Sequence, residues 1–192
     1  TNTAYADAGF YMMRSGWEIN STFLMYDGGP PGSSHVHHDM LSFALDAYGT
    51  NLLLDPGRGT YDETKPERDY LRSSRAHNLF MLDGVDLYDA EPDYNTWYDA
   101  PTMAFASAGH SFWNDAVSRH VLFPSGDKDY YVLLDHVSGG NHRVDNRLQF
   151  YDPAINITTG GQGFQSTSPA NGYIRTYCPQ TWDNETILVN ST

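Results

Sequence analysis

The chain is a series of short apolar or aromatic runs, each ended by Gly, Pro, Asn or Asp. Residues 9–14, 22–26, 41–45, 52–54 and 78–82 read as strands, as do 102–106, 119–123, 130–137, 147–150, 173–177 and 187–189. Each run is close to the usual strand length of about 5 residues. No stretch sustains an apolar helical period long enough for a major helix. The pattern predicts an all-β chain, an antiparallel layered β-sandwich with little helix. The segment Asp27-Gly-Gly-Pro-Pro-Gly-Ser-Ser34 is a loop by composition. Residues 58–77 are polar and charged with little strand pattern, which predicts a long loop of the kind that often carries function.

Length and charge narrow the reading. At 192 residues the chain can bury one substantial core, and a single domain over 1–192 is expected. Its formal charge of -13, from 24 acidic and 11 basic residues, argues against nucleic acid as a partner. An anionic ligand needs a local basic pocket set against the overall field. Arg14, Arg58, Arg68, Arg72 and Arg75 are the candidates. Cys178 is the only cysteine, so no disulfide forms within one chain, and the default reading is an inert thiol. No apolar run reaches the roughly 18 residues of a membrane span. The opening Thr-Asn-Thr-Ala is not a signal-peptide pattern, and the sequence reads as a mature protein, a cut domain or a proteolytic piece. Asn-x-Ser/Thr triplets start at Asn20, Asn156, Asn184 and Asn190, a pattern that is also common by chance.

Candidate chemistry concentrates in Ser34-His-Val-His-His-Asp-Met-Leu-Ser-Phe43. Neutral imidazoles bind divalent metal well, and crowded imidazoles resist joint protonation. On a strand, His35 and His37 would share one face and His38 would take the other. Asp55 ends an apolar run, where an unpaired carboxylate is costly to bury. His77 precedes the apolar run 78–82. A His, Asp, His set with one further donor suits zinc. The opposing reading makes these ordinary loop histidines and Asp55-Pro-Gly57 a turn signal.

The ordered set Gly9-Phe-Tyr-Met-Met-Arg-Ser-Gly-Trp17, His35-Val-His-His-Asp-Met-Leu-Ser-Phe43, Leu52-Leu-Leu-Asp-Pro-Gly57 and Tyr70-Leu-Arg-Ser-Ser-Arg-Ala-His-Asn78, followed by Asp83-Gly84, resembles the C-terminal β-sandwich region of the heparinase II/III-like polysaccharide lyases, a group with alginate lyase relatives. Arg119-His-Val-Leu-Phe and Tyr130-Tyr-Val-Leu-Leu-Asp-His136 look like later strands of the same region. The resemblance implies a lyase that cleaves uronic-acid polysaccharide by β-elimination, secreted or periplasmic. It implies an α/α toroid before the sandwich, with the active-site cleft between the two. His35 is then a catalytic residue lining the cleft, and His37, Asp55 and His77 hold a structural zinc. Tyr61 and Tyr70 fall where the family can carry an active-site tyrosine. Tyr70 is taken as catalytic, with Tyr61 and Arg72 as substrate contacts. Where the family often has an apolar or aromatic residue after the second motif histidine, this chain has His38, which leaves His37 and His38 competing as the metal ligand. No helical run here can replace a toroid, so the chain alone is expected to be inactive.

A second reading is a non-catalytic carbohydrate-binding module, using the aromatic stretch of Tyr88, Tyr94, Trp97 and Tyr98. A third keeps the fold and metal for structure only. His110, His120, His136 and His142 are scattered and read as structural.

Overall fold

The computed structural model describes residues 2–125 and 130–151, together with the backbone of three short strands beyond them. Strands β1 (Thr3–Tyr5), β2 (Phe10–Arg14), β3 (Phe23–Asp27), β4 (Phe43–Ala47) and β5 (Thr50–Leu53) form one antiparallel sheet in chain order. A short helix, α1 (Pro66–Arg72), and a 3-10 turn (Ser74–Ala76) lead into β6 (Phe80–Leu82). Strands β7 (Tyr94–Ala100), β8 (Met103–His110), β9 (Val117–Pro124) and β10 (Val132–Val137) form a second antiparallel sheet, ordered β10-β9-β8-β7. β11 (Val144–Asn146) pairs with β6. β12 (Ile157–Thr159), β13 (Gly163–Ser166) and β14 (Tyr173–Arg175) make a small separate sheet. The expected run 187–189 and Cys178 lie outside the described residues.

Alternation builds the sandwich. Successive strand residues point to opposite faces, so β2 buries Tyr11 and Met13 and β3 buries Leu24 and Tyr26. The facing sheet answers with small residues, Ala104, Ala106 and Ala108 on β8, and with Val117, Val121 and Phe123 on β9. Large rings on one sheet fill the space that alanines leave on the other, as close packing requires. Tyr11 stacks on Trp97 of β7 at 5.5 Å between ring centroids. The result is the all-β sandwich that the alternation predicts.

Four local expectations change. Residues 34–40 form no strand, and His35 takes a left-handed backbone, φ 59°. The Gly- and Pro-rich segment before them prevents regular pairing, so the two-residue face argument does not apply there. Within 58–77 lies α1, started by Pro66 at its first turn, where proline lacks only an N–H that would be orphaned anyway. The run 147–150 makes only one isolated bridge, Leu53 with Phe150. The aromatic stretch after Tyr88 becomes the edge strand β7, with Trp97 turned onto Tyr11 rather than offered to a ligand.

Candidate active site and metal centre

The site gathers at the end of the sandwich where β3 stops at Asp27. The chain crosses itself there, with the Gly28 amide donating to the Gly9 carbonyl at 2.9 Å. Gly28 faces Ala108, and a Cβ at this position would meet the alanine methyl at 2.6 Å, so only glycine fits. That crossing sends 30–40 outward as the histidine loop. Arg72, at the end of α1, straps the loop down. Its Nε donates to the Val36 carbonyl at 3.0 Å, and its own carbonyl accepts from the His38 amide at 2.9 Å.

The structure separates the three histidines by partner. His37 turns inward, its ring 5.4 Å from that of His77. His38 turns away and pairs through Nδ1 with Asp86 at 2.9 Å. Asp86 also accepts from the Ser74 amide at 2.7 Å, and Ser74 Oγ donates to the His38 carbonyl at 2.7 Å. His38 is thus built into the scaffold, and His37 is the imidazole that meets His77.

His77 is fully buried and Asp55 is half-buried beside it, with His77 Nδ1 at 2.8 Å from Asp55 Oδ2. The second oxygen of Asp55 accepts from the Gly57 amide at 3.1 Å, so the Asp-Pro-Gly turn and the site use the same carboxylate. Ligand atoms of His37, Asp39 and His77 lie within 4.8 Å of one another. Asp39 is a member that spacing arguments missed. It follows the histidines directly, and only the fold of the loop shows that it points inward.

Electrostatics mark this cluster. Burial alone would push Asp55 up, but its hydrogen bond to His77 and attraction to that ring outweigh burial and hold it below the ordinary carboxylate value. Burial would likewise lower His77, yet Asp55 raises it above the ordinary imidazole value. Burial pushes Asp39 up, and repulsion from Asp55 adds to it. Asp27 goes furthest, to about 8, through burial and then the neighbouring Asp39. Burial lowers His37, and His77 beside it lowers it further. Three carboxylates converge here with only two imidazoles to offset them, an arrangement that a divalent cation would relieve. His77 Nε2 is buried without a hydrogen bond of normal geometry, an unsatisfied polar atom beside the cluster. The donor set therefore fits zinc, with two nitrogens and two carboxylate oxygens at hand.

A second constellation lies outside the cluster. His35 is exposed on the wall of a groove of about 410 Å³ that also meets His37, Asp39, Asp27 and Asp89. Arg58 Nη1 is 2.6 Å from His35 Nδ1. A guanidinium only donates, so Nδ1 accepts and the neutral ring carries its proton on Nε2. Tyr61 meets the His35 ring edge-on at 5.5 Å, and Arg58 sits 4.5 Å above the Tyr61 ring. The sequence offers Arg58 only as one of five basic candidates. The other four separate from it in the fold. Arg14 covers Trp17 at the far end of β2, and Arg68 is buried against Glu63. Arg72 holds the loop backbone and Arg75 is exposed. Tyr70 lies exposed on α1, and the tyrosine in contact with His35 is Tyr61.

Comparison with known proteins gives the same fold and region. The family model described as "Heparinase II/III-like, C-terminal" matches residues 2–190, and the chain belongs to that family. A heparin-sulfate lyase of Pedobacter heparinus is 31 % identical over 140 residues, which is 71 % of this chain and 21 % of the relative. A heparin-sulfate lyase of Bacteroides stercoris is 26 % identical over 139 residues, 70 % of this chain and 21 % of its own length. Among solved structures, a mutant heparan sulfate lyase of Pedobacter heparinus superposes with a TM-score of 0.78 at 24 % identity, covering 88 % of this chain and 27 % of that one. A heparinase III structure gives 0.75 at 18 % identity, covering 94 % and 30 %. These structural likenesses show the fold. The chain spans about a fifth of the length of the curated relatives it matches.

Proposed function

We propose that this chain is the β-sandwich wall of an extracytoplasmic lyase that cleaves a uronic-acid polysaccharide of the glycosaminoglycan type by β-elimination. The observation that carries the reading is the Arg58–His35 hydrogen bond at the groove, in a chain of this family. In the reaction, a base takes the proton from C5 of the uronate. Its electron pair forms the C4–C5 double bond, the C4–O bond breaks, and the leaving oxygen takes a proton. Negative charge moves onto the C5 carboxylate as the C5 proton leaves. His35, with its proton on Nε2, would donate to that carboxylate, and the Arg58 guanidinium behind it would favour the developing charge. Tyr61, beside His35, is placed to move a proton, and Tyr70 remains a second candidate on α1. The groove wall itself is acidic, so the remaining cationic contacts to substrate would come from the facing α/α toroid.

Zinc would be held by His37, Asp55 and His77, with Asp39 as the fourth donor, in the closed coordination of a structural site. When bound, it would supply charge compensation and fix the loop and strand ends. His37 and His35 are two residues apart, so fixing one places the other.

The test is turnover by the complete protein of heparan-type substrate, read as unsaturated uronate absorbing in the ultraviolet. His35→Ala should lower kcat/KM by about 10²–10³, the usual cost of removing one donor to a developing charge. Tyr61→Phe should cost more than Tyr70→Phe. Undiminished turnover in His35→Ala would sink the assignment.

A further inference from the structure

Arg119 is among the largest fully buried side chains, and the groups it binds lie on the segments that carry the site. It sits on β9, in the sheet opposite Asp27. Its Nε and Nη2 grip Asp135 of β10 at 2.6 and 2.9 Å, a bidentate pair directly across the ladder. Its Nη1 reaches through the core and donates to two backbone carbonyls, Leu41 and Asn78, both at 2.9 Å. Leu41 lies two residues after Asp39, and Asn78 follows His77. The rings of Phe43 and Phe80 flank the guanidinium, each 5.4 Å from its carbon.

The two carbonyls are not ordinary ladder partners. Leu41 is left-handed, φ 68°, a conformation that is strained for a non-glycine residue. It is held there from both sides, since its amide donates to the Asp27 carbonyl at 2.8 Å while Arg119 takes its carbonyl. Asn78 continues the frame. Its Nδ2 donates to the carbonyls of Phe43 and of Leu54, the neighbour of Asp55, at 2.8 and 3.1 Å. One buried ion pair therefore connects, by hydrogen bonds, to the backbone beside Asp39, Asp55 and His77.

We propose that Arg119, oriented by Asp135, is a positioning residue that sets the spacing of the metal-binding segments from the opposite sheet. The inference rests on the zinc reading above. A planar fork with fixed donor directions suits this task, and a lysine cannot make the bidentate grip and the two carbonyl bonds together.

The experiment compares Asp135→Asn and Arg119→Lys with wild type in the complete protein. The control is Phe123→Leu, a core change farther along β9 beside Tyr131, which reaches Met13 and Thr22 at the far pole. Zinc affinity is measured by competition with a chromogenic chelator. Hydrogen exchange of the metal-free protein is followed over residues 36–41 and 77–79. Asp135→Asn, the milder variant, should weaken zinc by about 10-fold or more, as loss of an outer positioning contact does. Phe123→Leu should stay within about twofold even at equal loss of melting temperature. Exchange over the two segments should rise in the Arg119 and Asp135 variants only. Wild-type affinity and exchange in both variants, or changes no larger than in Phe123→Leu, would overturn the proposal. If wild type binds no zinc yet exchange rises in those segments, the zinc reading fails and the positioning role stands.

Discussion

At the scale of single residues, neighbours in sequence part company in space. His35, His37 and His38 lie within four positions, yet one faces Arg58, one His77 and one Asp86. The sequence shows the concentration of imidazoles and offers His37 or His38 with Asp55 and His77. In the structure His37 faces His77 and His77 pairs with Asp55, while the ligand atoms that gather within 4.8 Å are those of His37, Asp39 and His77. What the sequence hides is direction. A left-handed His35 and the turn through Asp39 to Ser42 decide which ring points where, and neither follows from residue spacing. Arg119 is hidden for the same reason, since one arginine in a strand reads as a surface charge until the sheet closes over it. The carboxylates separate the roles of Asp39 and Asp55. Asp55→Asn removes the partner that raises His77 and a proposed ligand, and should cost more zinc affinity than Asp39→Asn. Each should exceed the roughly 10-fold loss usual for an outer contact, and competition with a chelator measures both.

At the scale of elements, β7 and α1 depart most from the pattern. Tyr94 to Ala100 alternates exposed and half-buried positions because it is an edge strand, and its only strong apolar anchor is Trp97 against Tyr11. That weak signal explains why it reads as an aromatic stretch. α1 has seven residues and buries only Arg68, too little for an apolar period to show. The loops joining strands carry a further device at His142, on the connection between β10 and β11. Its Nδ1 meets Asp83 at 2.7 Å and its Nε2 meets Asp115 at 2.8 Å. Those two hydrogen bonds, Asp83 first, raise its pKa above the ordinary imidazole value, while Arg143 beside it pairs with Asp145. A raised folded pKa means that the clasp stabilises fully below the unfolded value of about 6.5 and is lost as pH rises through the folded value. His142→Gln should therefore lower the melting temperature most near about pH 5, with the gap from wild type closing by about pH 9. A constant gap across that range would show that the charge of His142 contributes nothing.

At the scale of the whole molecule, the class was readable because period-two alternation and frequent turn residues leave few architectures open. The pairing of large rings on β2 and β3 with alanines on β8 was not readable, because it is a relation between sheets. Charge acts at this scale too. A net -13 and an acidic groove would oppose a polyanionic substrate of the proposed kind, so its binding would rest on local cations such as Arg58, on the proposed metal and on the proposed facing wall. One proposal joins these scales: a zinc held by His37, Asp39, Asp55 and His77 would fix the loop that presents His35. Metal content of the complete purified protein tests it most directly, with His77→Ala as the comparison. About one zinc per chain is expected in wild type, lost in His77→Ala while the circular dichroism of the sandwich is kept. Wild-type protein free of zinc, or zinc retained undiminished in His77→Ala, would contradict it.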